Sequence, residues 1–197
     1  LTRSPKVIDL IFVGSLIERK AVNLLISALA LLNVESSYKY RLSIIGTGPL
    51  LTPLQDLVAS LDMVNSVDFY GEKSSSWIAE KLSSTPFYVS ASTHEGRPNS
   101  VVEAMAAGCC CVLSDINGHK ELAQSGLSGS LFEVGNALSL KNSVLSVVEN
   151  VQRAKAIGSG ARQFVLSNNL TWHACGESYQ NLYRSMLRDP SAIEGNV

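Results

Sequence analysis

Charge is scarce in this sequence. Asp, Glu, Lys and Arg make up 17% of its 197 residues, and 16 basic against 17 acidic side chains leave a formal net charge of -1. A chain that holds nucleic acid on a basic face carries an excess of Lys and Arg, so no nucleic-acid partner is expected. Cysteine is sparse and clustered, as Cys109-Cys110-Cys111 plus Cys175. Three adjacent cysteines cannot build a disulfide framework, and no Cys-x-x-Cys pair is present for zinc. They read as small apolar residues in a reducing, cytoplasmic compartment. No run reaches the ~18 to 20 apolar residues that a membrane-spanning helix needs. No Asp-x-Asp pair suggests a metal, and no Gly-x-Ser-x-Gly turn offers a nucleophilic serine. The start at Leu1 lacks both Met and a signal-like apolar stretch, which predicts a chain cut from a longer protein.

What is present suits a packed domain. Hydrophobic residues make up 46% of the chain, enough for a sizeable core. Apolar runs predict strands over 7–13, 41–45, 67–70, 87–90, 110–113 and 130–132. Between and after them, helical spacing predicts helices over 20–32, 51–61, 101–107, 120–123, 137–150, 152–166 and 172–187, with one more capped near Ser74. Strand-helix alternation with strands apolar on both faces implies a parallel sheet covered by helices. The expected fold is α/β: a Rossmann-like, doubly wound sheet of about six strands with a helical C-terminal segment. Residues 1–188 form that lobe and 189–197 a flexible tail. Ligands in such folds bind beyond the carboxyl ends of the strands.

Three strand-end loops carry the chemistry. Gly14-Ser15-Leu16-Ile17-Glu18-Arg19-Lys20 leads from the first strand toward a helix, where open N–H groups and Lys20 suit a phosphate. Taken alone, the loop is more simply a glycine turn with solvated charges. Gly46-Thr47-Gly48-Pro49 lacks the third glycine of a dinucleotide fingerprint and follows the second strand, so it turns the chain or lets backbone approach a ligand. The segment from His94 to Met105 is the most informative. It sets Glu95 at a strand end and Glu103 inside a helix whose neighbours Val102, Ala104 and Met105 are apolar. A carboxylate in such company needs a partner, and the hydroxyls of a sugar diol suit it. The first-turn amides of Asn99, Ser100 and Val101 offer an anion site.

With these residues in order, the chain resembles the C-terminal, donor-binding lobe of the family 4 (group 1) glycosyltransferases of the two-lobed GT-B fold. The match runs through Phe12-Val13-Gly14 with Lys20, Ile45-Gly46-Thr47-Gly48-Pro49-Leu50 and Val67-Asp68-Phe69-Tyr70-Gly71. It continues through Glu95 to Glu103 with Ala104-Met105-Ala106-Ala107-Gly108, then Gly118 with Glu121, and closes on Thr171-Trp172, Tyr179 and Leu182-Tyr183. The resemblance implies a nucleoside-diphosphate sugar as donor, retaining transfer of a hexose, and no metal or other cofactor. It assigns Glu103 to the ribose hydroxyls and Glu95 to the transferred sugar and reacting centre. The diphosphate falls to Lys20, to Gly14 and Ser15, and to the stretch Gly96, Arg97, Pro98, Asn99, Ser100 and Val101. Gly71, Glu72 and Lys73 border the base. Lys20 and Glu95 are the expected catalytic pair.

The acceptor, a glycan or a lipid-linked one, would meet an N-terminal lobe that this chain lacks. That lobe would carry any peripheral association with the inner face of the membrane, and the isolated chain is expected to transfer no sugar. Ser15 departs from the family, which carries Arg there, so half of the cationic clamp is missing unless Arg19 or Arg97 replaces it. Two other readings stay open: an epimerase of the same architecture, and a nucleotide-binding module without catalysis.

Overall fold

A computed structural model describes residues 6–123, 127–170 and 172–188. Its strands are β1 (Val7–Val13), β2 (Lys39–Ile45), β3 (Val67–Gly71), β4 (Phe87–Ser90), β5 (Cys110–Ser114) and β6 (Ser130–Phe132). Its helices are α1 (Val22–Glu35), α2 (Leu51–Ser60), α3 (Ser75–Ser84), α4 (Asn99–Ala107), α5 (Asn117–Lys120), α6 (Ala137–Val148), α7 (Val151–Ser167) and α8 (Trp172–Arg188). The strands form one sheet in the order β3-β2-β1-β4-β5-β6, and every pairing is parallel. This is the doubly wound, Rossmann-like α/β fold expected from the strand-helix alternation. Among the described residues no helix is long and apolar enough to cross a membrane.

The two-residue period of a strand sends successive side chains to opposite faces, and the core divides accordingly. Ile8, Leu10 and Phe12 of β1 join the core built with α1, α2 and α6, whereas Ile11 and Val13 join the one built with α4 and α7. The cysteines obey the same rule. Cys110 faces the first core, Cys109 and Cys111 the second. All three are free and buried. Burial pushes the thiols of Cys109 and Cys110 up to about 12, so they pack as apolar groups.

After β3 the chain returns to place β4 on the other side of β1, so the winding reverses between those two strands. The crevice at their carboxyl ends is the switch point where such sheets bind ligands. Backbone bonds stitch its near wall: Gly14 N–H donates to the Ile45 carbonyl (2.9 Å), Leu16 N–H to Thr47 (2.9 Å) and Gly46 N–H to Gly71 (2.8 Å). Gly46 adopts φ +132°, and a Cβ on it would stand 2.0 Å from the Gly14 carbonyl oxygen. A Cβ on Gly48 would lie 2.5 Å from that of Leu16. The fingerprint-like glycines therefore let one loop lie on its neighbour.

Several expected boundaries move. Residues 18–20 form a separate 3-10 turn, and Ala21 with φ +46° delays α1 to Val22. Pro98 serves as the N-cap of α4, which starts at Asn99 and stops at Gly108 in the left-handed conformation. The helical turn expected over 120–123 forms instead at Asn117–Lys120. There Gly118 lies on the backbone of the β4–α4 loop, so tertiary contact sets its position. The expected tail, 189–197, is outside the described residues.

Candidate functional site

The β1–α1 loop and the β4–α4 loop meet over the switch point. Thr93 N–H donates to the Arg19 carbonyl (2.8 Å) and fastens one loop to the other. Glu95 then takes both cations of the 3-10 turn. Lys20 Nζ donates to its Oε1, and Arg19 reaches Oε2 at 3.1 Å. Ser92 Oγ adds a third donor, at 2.8 Å from Oε1. Glu95 is 6% exposed at its side chain and Lys20 12%, against 50% for Arg19. Burial alone would raise the Glu95 carboxyl pKa. The bonds from Lys20 and Ser92 and the charges of Lys20 and Arg19 outweigh it and hold the group below its ordinary value. Arg19 thus sets a second cation beside Lys20 on the same carboxylate. Ser15 is exposed, as is Arg97, which makes no ion pair or side-chain hydrogen bond among the described residues.

Across the crevice, α4 begins without a side-chain cap. Among the described residues the amides of Asn99 and Ser100 have no partner, as the first N–H groups of a helix do not. Val101 departs from expectation. Its side chain is fully buried in the core and its N–H already donates to the Pro98 carbonyl (3.1 Å), so it offers no amide to a ligand. Pro98 is buried as well, and Gly96 is exposed. Further along the helix, Glu103 has no hydrogen-bond or ion-pair partner among the described residues. The side chain is open to solvent, yet enough protein surrounds it for desolvation to raise its carboxyl pKa.

Gly71, Glu72 and Lys73 follow β3, two strands away from β1, or roughly 10 Å at ordinary strand spacing. Lys73 sits over the Trp77 ring (5.6 Å), Trp77 packs against Tyr70 (5.3 Å) and Lys81 covers Tyr70 (5.3 Å). Among the described residues no hydrogen bond or ion pair joins them to the Glu95 cluster.

Two groups at the site escape the sequence: Tyr88, and the serines that join His119 to Glu95. Tyr88 is fully buried, and its hydroxyl donates to Ser100 Oγ (3.1 Å) with the Val13 carbonyl at 3.4 Å. It ties the end of β1 to the first turn of α4, and a tyrosine inside an apolar strand is the signal that could have found it. The other is a chain of Ser114, Ser92 and His119 beneath Glu95. Among the described residues no three His, Cys, Asp or Glu side chains gather as a metal site.

Comparison with known proteins places this geometry. Uncharacterized glycosyltransferase MJ1178 of Methanocaldococcus jannaschii is 26% identical over 176 residues, 89% of this chain and 48% of that protein. N-acetyl-alpha-D-glucosaminyl L-malate synthase of Bacillus anthracis is 26% identical over 180 residues, 91% and 46%. The chain therefore spans about half the length of these relatives. A solved structure of Staphylococcus aureus TarM, with UDP, fondaparinux and alpha-GlcNAc-glycerol bound, superposes with TM-score 0.80 at 21% identity, covering 93% of this chain and 36% of that one. The family model of glycosyl transferases group 1 matches residues 2–164. The chain belongs to the group 1 glycosyl transferases.

Proposed function

We propose that the chain is the donor-binding half of a retaining glycosyltransferase, holding a nucleoside-diphosphate sugar for transfer of a hexose to a glycan or lipid-linked acceptor. The observation that carries this reading is the Glu103 carboxylate, exposed and without a partner among the described residues, on the helix whose first amides are open. A free carboxylate on the same helix as open amides suits a ligand that carries both hydroxyls and an anion. Ribose hydroxyls would donate to Glu103. The Asn99 and Ser100 amides would take the diphosphate, with Lys20 and Arg19 opposite. As the sugar leaves the diphosphate, negative charge grows on the departing oxygens and these fixed donors stabilise it. Glu95, already bound by three donors, is poorly suited to attack. It would orient the sugar and balance the positive charge that develops there.

UDP in the TarM structure and the glucosaminyl product in the B. anthracis relative's name support a donor of this class. The acceptor would be met by the other half of the full protein, which would also make any contact with the cytoplasmic face of a membrane. The 197 residues would then bind donor and transfer nothing. Calorimetry with UDP, GDP and ADP tests the site. One of the three binds, and Glu103→Ala and Lys20→Ala each weaken it by about tenfold or more, the worth of one bond to a charged group. Binding that neither substitution weakens overturns the assignment.

A further inference from the structure

We propose that His119 is a positioning residue for Glu95: its buried imidazole fixes the carboxylate through Ser114 and Ser92. The inference rests on the reading above, in which Glu95 faces the transferred sugar.

The links run in one direction. His119 is fully buried, and its Nδ1 lies 2.9 Å from the Ser114 carbonyl oxygen and 3.1 Å from Ser114 Oγ. A carbonyl only accepts, so Nδ1 carries the proton. Ser114 Oγ in turn donates to the Ser92 carbonyl (2.5 Å), and Ser92 Oγ donates to Glu95 Oε1 (2.8 Å). Backbone contact runs alongside. A Cβ on Gly118 would stand 2.6 Å from the Glu95 carbonyl oxygen and 2.3 Å from that of Gly96. The α5 turn thus presses directly on the Glu95 peptide.

Nε2 explains why the donor is dependable. It is buried and has no partner among the described residues. Protonating it would place a cation inside the protein with no acceptor, and burial accordingly lowers the imidazole pKa. The Ser114 carbonyl and Glu95 favour the charged form and Lys20 opposes it, without reversing the effect of burial. A leucine would fill the space without an orphaned nitrogen, which is costly to bury. The arrangement matters most when donor is bound. A diphosphate draws Lys20 and Arg19 toward itself, and Ser92 is then the remaining donor that holds Glu95.

The test uses the 197-residue chain with His119→Leu, His119→Asn and Ser92→Ala. The Glu95 side-chain carboxyl is followed by carbon NMR across pH, and UDP and UDP-glucose are titrated by calorimetry. His119→Leu and Ser92→Ala should raise the Glu95 midpoint. They should weaken UDP-glucose by about tenfold while UDP changes less than about twofold. His119→Asn, whose amide can replace the Nδ1 donor, should restore most of both. An unchanged Glu95 midpoint in a folded His119→Leu chain, or equal losses for UDP and UDP-glucose, overturns the inference. If the wild type binds neither UDP nor UDP-glucose, the donor is not a uridine nucleotide, and the ligand-free Glu95 midpoint still decides whether His119 positions it.

Discussion

Glu95 and Glu103 sit on the same loop-helix segment, and their surroundings push them in opposite directions. Glu95 is held below its ordinary pKa by Lys20, Ser92 and Arg19 against its own burial. Glu103, though open to solvent, is lifted by the partial desolvation its surroundings impose. A depressed carboxyl stabilises the fold above its unfolded pKa, and that stability is lost as pH falls through the folded pKa; a raised carboxyl does the reverse. Urea unfolding across pH separates the two. Glu95→Gln should cost about 1.5 to 3 kcal/mol at pH 7, as for a hydrogen bond to a charged group. The gap from wild type should close in acid, below the ordinary glutamate range. Glu103→Gln should leave the chain at least as stable as wild type at pH 7 and equal to it in acid. A Glu95→Gln deficit that persists in acid, or a Glu103→Gln chain weaker than wild type at pH 7, would contradict these assignments.

At the scale of elements, the loops are as specific as the helices they serve. Gly46 supports the Gly14 loop at a separation that admits no side chain. Gly46→Ala should therefore cost at least ~2 kcal/mol, or a Tm lower by about 4 to 8 °C for a domain of this size. A calorimetric scan with no shift would show that the loops part freely. β4 and β5 were legible as apolar runs buried on both faces, as were the last four residues of β1 and β2, and Gly108 marks the end of α4 by its left-handed backbone. The α5 turn was not legible. Its place depends on Gly118 meeting Glu95 and Gly96 across the fold, and no local pattern encodes that. The site divides the same way. Glu95, Glu103 and Lys20 stand out by their type and spacing. The serine link does not, because Ser92 and Ser114 meet only through the pairing of β4 with β5.

For the whole molecule, scarcity of charge turns out to be a matter of placement. A net charge of -1 coexists with two cations and two open amides gathered at one reversal of the sheet. Local N–H groups and a few fixed charges suffice for a phosphate where a basic face is lacking. The most direct test of that claim is amide NMR of the chain titrated with the nucleoside diphosphate that binds. The largest shifts should fall on the Asn99 and Ser100 amides, with Gly14 and Ser15 next and Glu103 following through α4. Shifts confined to the groove beside β6, at Asn142 and Arg153, would contradict it and move the nucleotide away from the switch point.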